Sequence, residues 1–416
     1  MEIREGPAIV ESTKFAALAA FRHKNFSIFY AGQTISLFGT WSESLAMSWL
    51  VWQLTKSSVW LGIIGFAIQF PMLIFGLFGG VFADKYDRKK SLTVFQILCM
   101  LQALAAAALT LTGKIEVWHI LLLSIMLGVI YAFEFPVRQS FVMDIVGKRD
   151  LLNAVSLNSV MIHGTRMVGP SIAGFIVAWK GEGICFLFNA LTFIPLIVAL
   201  LIIDRSKMIV YKPDNNRFYE SIREGVIHLL GSKEMILAMI IMGIVSIFTM
   251  PYTYLMPIFA DEIFGGGSIT MGYLLSASGI GSLIGAAILA GRRSPERMLS
   301  IACFSVVGAS VSLIIFSHVS NIFFAVPMIA LVGAFITVAV SCSITIMQQL
   351  SPDELRGRMA SFFTVVFMGL APVGSILGGF ATELFGLRLA VSGLASISLI
   401  FSMVSLYSAI VIDRKA

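Results

Sequence analysis

The 416-residue chain is 58% hydrophobic and only 12% charged, with a mean hydropathy of +0.91. Soluble globular chains carry roughly twice that charged fraction, so a soluble enzyme or binding module is excluded as the class of the whole chain. The formal net charge of +6 does not point to nucleic acid, because the cations sit in loops between apolar runs, where they set topology.

Apolar runs of about 20 residues recur along the whole length, enough to cross roughly 30 Å of hydrocarbon as helix. The chain therefore reads as an all-α polytopic membrane protein with twelve transmembrane helices. They fall near 27–52, 58–83, 91–112, 117–143, 153–178, 183–203, 235–260, 268–291, 297–317, 321–347, 359–382 and 387–411. The fourth and tenth are long enough to need tilt or a kink, for which Pro136 and Pro327 are candidates. The first 25 residues are mixed and charged without a cleavable signal pattern, so the first span is expected to act as its own insertion signal. Cys99, Cys185, Cys303 and Cys342 lie inside apolar segments without metal-ligand spacing and are expected to be buried thiols.

Between the second and third spans runs Gly79-Gly80-Val81-Phe82-Ala83-Asp84-Lys85-Tyr86-Asp87-Arg88-Lys89-Lys90, a short connection with charge pressed against hydrocarbon. Lysine and arginine outside the spans gather on this side of the membrane. The opposite side holds only Lys56, Lys114, Lys180 and Arg388, so both termini and this loop are expected in the cytoplasm. One long connection separates six spans from six. This predicts an N-terminal bundle over 1–203, a linker over 204–234 and a C-terminal bundle over 235–416. The linker carries the turn cluster Pro213-Asp214-Asn215-Asn216. Phe218, Ile222, Val226 and Leu229 then recur at helical spacing among Arg217, Glu220, Arg223 and Glu224, as an amphipathic surface helix would place them. A constant shift aligns Arg88 and Lys89 with Arg292 and Arg293, and Leu151 with Leu355. The same shift aligns Ser171, Ile172 and Gly174 with Ser375, Ile376 and Gly378, a faint internal repeat.

The loop Gly80-x-x-x-Asp84-Lys85-x-x-Arg88-Lys89-Lys90 resembles the signature of the major facilitator superfamily between helices 2 and 3, with Asp87 where glycine is common. Phe135-Pro136-Val137-Arg138-Gln139, Arg166-x-x-Gly169-Pro170, Arg223-Glu224-Gly225 and Leu355-Arg356-Gly357-Arg358 resemble a branch that includes enterobactin exporters and macrolide efflux pumps. Gly164, Gly169, Pro170 and Gly174 partly resemble the glycine-proline motif of helix 5 in antiporters. The resemblance spans essentially the whole chain. It implies two pseudo-symmetric six-helix bundles and a cytoplasmic gate in which Asp84, beside Gly80 and Arg88, meets Arg138 and the N-terminus of helix 11. A helix N-terminus does favour a nearby carboxylate.

Polar stripes mark the helices that line a central cavity in that superfamily. Helix 1 carries Gln33, Ser36, Thr40, Glu43 and Met47, and helix 4 carries Tyr131, Glu134 and Arg138. Helix 7 carries Thr249, Tyr252 and Met256, and helix 10 carries Thr337, Ser341, Thr345 and Gln348. Glu43 lies roughly 22 Å from the inner end of its helix, and no cation lies three or four residues away on it. Arg166 reaches a matching depth on helix 5, so the pair is a candidate either for proton coupling or for a fixed interhelical ion pair. Glu134 and Arg138 have the i,i+4 spacing of a local ion pair. His163, one turn before Arg166, is a candidate proton carrier or a packing residue.

Nothing of the phosphate-binding Gly-x-x-x-x-Gly-Lys-Ser/Thr type occurs, nor a nucleophile motif in an appropriate context, so the chain does not read as an ATP-driven pump or an enzyme. No cofactor or metal is called for. The expected function is secondary export of a small amphipathic molecule (a siderophore, drug or related metabolite) by alternating access with proton antiport. The expected setting is a bacterial cytoplasmic membrane and the expected working form a monomer. An importer or lipid flippase on the same scaffold, or a non-transporting sensor, are the alternatives.

Overall fold

The computed structural model describes residues 18–208, 218–292 and 296–413. The N-terminal arm, Pro213–Asn216, Arg217, Arg293 and the last three residues lie outside the described residues. Helix dominates because a backbone in hydrocarbon must satisfy its own N–H and C=O groups. Among the described residues, eleven helices are long and apolar enough to cross a membrane. The helix Lys24–Thr55, at 32 residues, also has the length, but its polar residues dilute its hydropathy. Several of these hydroxyls are satisfied locally: Thr34, Thr40 and Ser48 donate to carbonyls of the preceding turn.

The long helices are α1 (Lys24–Thr55), α2 (Ser58–Lys85), α3 (Arg88–Leu111), α4 (Val117–Gly147), α5 (Arg149–Lys180) and α6 (Glu182–Ile202). After the linker helix Phe218–Gly231 come α7 (Lys233–Ile263), α8 (Gly267–Ala290), α9 (Met298–His318), α10 (Ile322–Gln349), α11 (Asp353–Phe385) and α12 (Leu387–Asp413). Twelve long helices among the described residues match the twelve expected segments, with ends shifted by a few residues. The break after α4 comes at Gly147, whose φ of 71° suits glycine, and Pro136 lies inside α4. The four cysteines are free and buried.

The connection between α2 and α3 is shorter than its sequence suggests, only Tyr86 and Asp87. Asp87 caps α3 by accepting from the Lys90 N–H at 3.1 Å. Arg88 turns inward and pairs with buried Asp144 of α4 at 2.6 Å, with Asp84 further off at 3.5 Å. Of the two adjacent glycines, only Gly79 marks a close approach, against Ala132 and Pro136; a side chain at Gly80 would meet nothing within 4 Å. On the linker helix, Gly225 lies against Phe362 and Met359 of α11, and Glu224 pairs with Arg358 at 3.0 Å.

The helices pack as two bundles that meet along two crossings, α2 on α11 and α5 on α8. The crossings are copies of each other. Ser58 of α2 donates to the Gly379 carbonyl of α11 at 2.9 Å, and Ser268 of α8 donates to the Gly174 carbonyl of α5 at 3.1 Å. A Cβ on Gly62 would lie 2.6 Å from the Ser375 carbonyl oxygen, and one on Gly272 would lie 2.7 Å from that of Pro170. Backbones this close need glycine. The equivalence pairs Ser375 with Pro170 and Gly379 with Gly174, one residue off the alignment of Ser171 with Ser375 suggested by the sequence repeat.

Candidate functional site

Helix directions put the start of α1 and the end of α12 at one end of the molecule, the near end, with the α1–α2 and α7–α8 connections at the far end. Bonds joining the bundles run from the far end to the middle. Asp261 of α7 accepts from Trp52 Nε1 and from Lys56 Nζ, each at 2.7 Å. Lys56 ends α1 in a left-handed conformation, φ 47°, uncommon for a non-glycine residue, which aims its side chain across the gap. Further in, Ser171 Oγ bonds Ser276 Oγ at 2.7 Å, and Gln69 Nε2 donates to the Tyr254 hydroxyl.

Beneath this closure lies a cavity of about 300 Å³ between the bundles. Trp41, Ser44, Met47 and Ser48 of α1 form one wall, with Gly65 and Ile68 of α2 and Ser124 of α4 beside them. Arg166 and Pro170 of α5, Met250, Thr253 and Tyr254 of α7, and Met271 of α8 complete it. Arg166 is the one charged residue of the lining; its guanidinium stands 5.6 Å over the Trp41 ring.

Of the residues predicted to line a cavity, Met47 does so. The others are turned elsewhere. Gln33 and Ser36 are buried inside the N-terminal bundle, and Thr40 bonds back to Ser36. Tyr131 packs with Cys99, Leu127 and Phe193, between α3, α4 and α6. Thr249 bonds Ser398 at 3.0 Å and Tyr252 bonds Ser278 at 3.1 Å, both inside the C-terminal bundle with Met256. Thr337 is buried, Thr345 donates to the Ser341 carbonyl, and Gln348 lies at the near end of α10. None of these belongs to the cavity lining.

The expected Glu43–Arg166 pair is not formed. Glu43, only 3% exposed, accepts from Asn189 of α6 through Oε2, while Oε1 has no partner. Gln102 of α3 lies beside it, fully buried, with both polar side-chain atoms unpartnered. Glu43 thus points into the N-terminal bundle, whereas Arg166 faces the space between bundles. Gln96, Cys99 and Gln102 share one face of α3. Gln96 donates to Glu134 at 3.3 Å, so buried polar groups run from Glu134 along α3 to Glu43. His163 Nδ1 is buried without a partner.

At the near end, Arg138 pairs with Glu134 at 3.2 Å and stands over Phe135, as the local spacing suggested. Asp84 stays with Arg88, so the structure does not assemble the Asp84–Arg138 gate. Partial burial raises the Asp84 carboxyl above its usual range, and Arg88 opposes that shift.

Residues 15–415 match the family described as transmembrane secretion effector. The staphyloferrin A transporter of Staphylococcus aureus is 25% identical, over 86% of this chain and 90% of that protein. The macrolide efflux protein A of Streptococcus pyogenes is 22% identical, over 87% and 90%. In fold, the chain is similar to a bacterial homologue of the human lysosomal transporter Spinster, solved inward-facing and unoccupied. There the TM-score is 0.73 at 12% identity, covering 96% of this chain and 98% of that one.

Proposed function

The chain belongs to the transmembrane secretion effector family of major facilitator transporters, and from that premise we propose that it exports a small amphipathic molecule by alternating access, driven by protons moving inward. The observation that carries this reading is the cavity of about 300 Å³ between the bundles, closed at the far end by Asp261, Lys56 and the two glycine crossings. Its apolar wall with a few polar groups suits an amphipathic cargo. Export as the direction is supported by the family and by the names of its relatives.

In this reading residues 1–203 and 235–416 rock against each other about the α2–α11 and α5–α8 crossings, and 204–234 tethers them. The near end, with its concentration of lysine and arginine, faces the cytoplasm of a bacterial cell, and one chain is the working unit. When the near end closes, Asp84 is released from Arg88 to meet Arg138 and the start of α11, with Gly80 leaving room for the approach. Glu43, buried beside Asn189 without a cation, is the proton carrier, and Glu134 with the polar face of α3 is its route to the near end. His163 is a packing residue.

The test compares small molecules retained by cells with and without the protein. One or more amphipathic metabolites or siderophores are expected to accumulate inside cells lacking it and to leave when it is restored. Accumulation that instead depends on the protein being present would establish import and end the export reading.

A further inference from the structure

We infer that the cavity selects anionic cargo, a carboxylate on an apolar body, through Arg166; the inference rests on the export reading above. The lining contains a guanidinium and no carboxylate. Among the described residues Arg166 makes no ion pair or hydrogen bond, and its partner is the Trp41 ring. Glu43, the carboxylate expected to neutralise it, is committed to Asn189 in the bundle interior. A cation at this depth is costly without a counter-charge, and among the described residues no protein acceptor takes its N–H groups.

The rest of the wall offers no competing charge. Trp41 Nε1 and Ser124 Oγ are unpartnered, but both atoms are buried and do not open onto the cavity. Ser48 and Thr253 direct their hydroxyl protons to carbonyls of their own helices, and beside the Ser44 and Tyr254 hydroxyls Arg166 is the one cationic donor of the lining. Around them stand Met47, Met250, Met271 and Ile68, an apolar and adaptable surface. A ligand that satisfies the whole cavity brings several acceptor oxygens with negative charge at one end and hydrocarbon at the other. The backbone of Arg166 is held firmly at the α5–α8 crossing, where a Cβ on Gly279 would lie 2.8 Å from its carbonyl carbon.

Two probes of the same shape and opposite character test this, 2-naphthoate and 2-naphthamide. Their binding to the full chain in nanodiscs of zwitterionic lipid is measured by calorimetry. The wild type is expected to prefer naphthoate. Arg166→Gln should weaken naphthoate by roughly tenfold or more, the loss of a charge-assisted contact, and leave naphthamide unchanged, which also reports a folded cavity. Arg166→Lys should recover part of the preference. Equal affinity of both probes for the wild type, or naphthoate binding indifferent to Arg166→Gln, overturns anion selection while leaving the cavity as the cargo site. Binding of neither probe to the wild type overturns this inference together with the assignment of the cavity as the cargo site.

Discussion

Glu43→Gln is expected to reduce proton-driven export in inside-out membrane vesicles to the level of vesicles without the protein. Glu43 is 3% exposed, accepts from Asn189 and has the Gln102 amide beside it. A buried carboxylate with no cation beside it can change charge only by taking or losing a proton, which is the property a coupling group needs. Glutamine keeps an acceptor for Asn189 and removes the proton site, so stability should change by less than about 1 kcal/mol. Glu43→Ala strands the Asn189 amide as well and should cost about 1–3 kcal/mol. Thermal unfolding of both variants, run beside the vesicle assay, separates coupling from folding. Undiminished pumping by a folded Glu43→Gln protein would remove Glu43 from the mechanism and leave the transport reading standing.

The second large effect is expected from Gly62→Val combined with Gly272→Val. Each glycine packs its Cα against a facing backbone, and any Cβ would fall within 2.7 Å of a carbonyl oxygen. Backbone cannot yield as a side-chain tip does, so each valine should destabilise the far-end closure by about 1–3 kcal/mol. Two such costs shift the balance between states by a factor of roughly 30 to 20,000 if they add. The double variant should therefore rest with its cavity open at the far end and should not export. The readout is labelling of Ser44→Cys, in a background without the four native cysteines, by a membrane-impermeant maleimide added from the far side. Wild-type crossings should protect that thiol and the valine variant should expose it.

The fold was legible in the sequence because each span must solve its own hydrogen bonding in hydrocarbon, leaving long apolar runs separated by short charged turns. The site was less so. A polar stripe says that a helix face meets protein or water, but not which. On α1 the stripe Gln33–Ser36–Thr40–Glu43 faces the bundle interior, while Trp41, Ser44 and Ser48, at the same helical spacing, face the cavity. On α7 the difficulty is sharper. A π-helical turn at Val245–Thr249 shifts the register just ahead of this stretch, and Met250, Thr253 and Tyr254 line the cavity while Thr249, Tyr252 and Met256 do not. Matching depth suggested Glu43 and Arg166 as partners; depth alone cannot exclude Asn189, which lies on another helix. Arg138 followed the local i,i+4 rule in this structure because a partner on its own helix requires no movement of the bundles.

The central claim is that cargo crosses by opening the far end, and a reversible lock tests it most directly. Cysteines replacing Lys56 and Asp261, whose side chains meet at 2.7 Å, can be bridged by a short bifunctional thiol reagent with a reducible link, again without the native cysteines. With the bridge in place, export of the metabolite that the protein removes from cells should stop; cleaving the link should restore it. Full cross-linking with export undiminished would contradict the account.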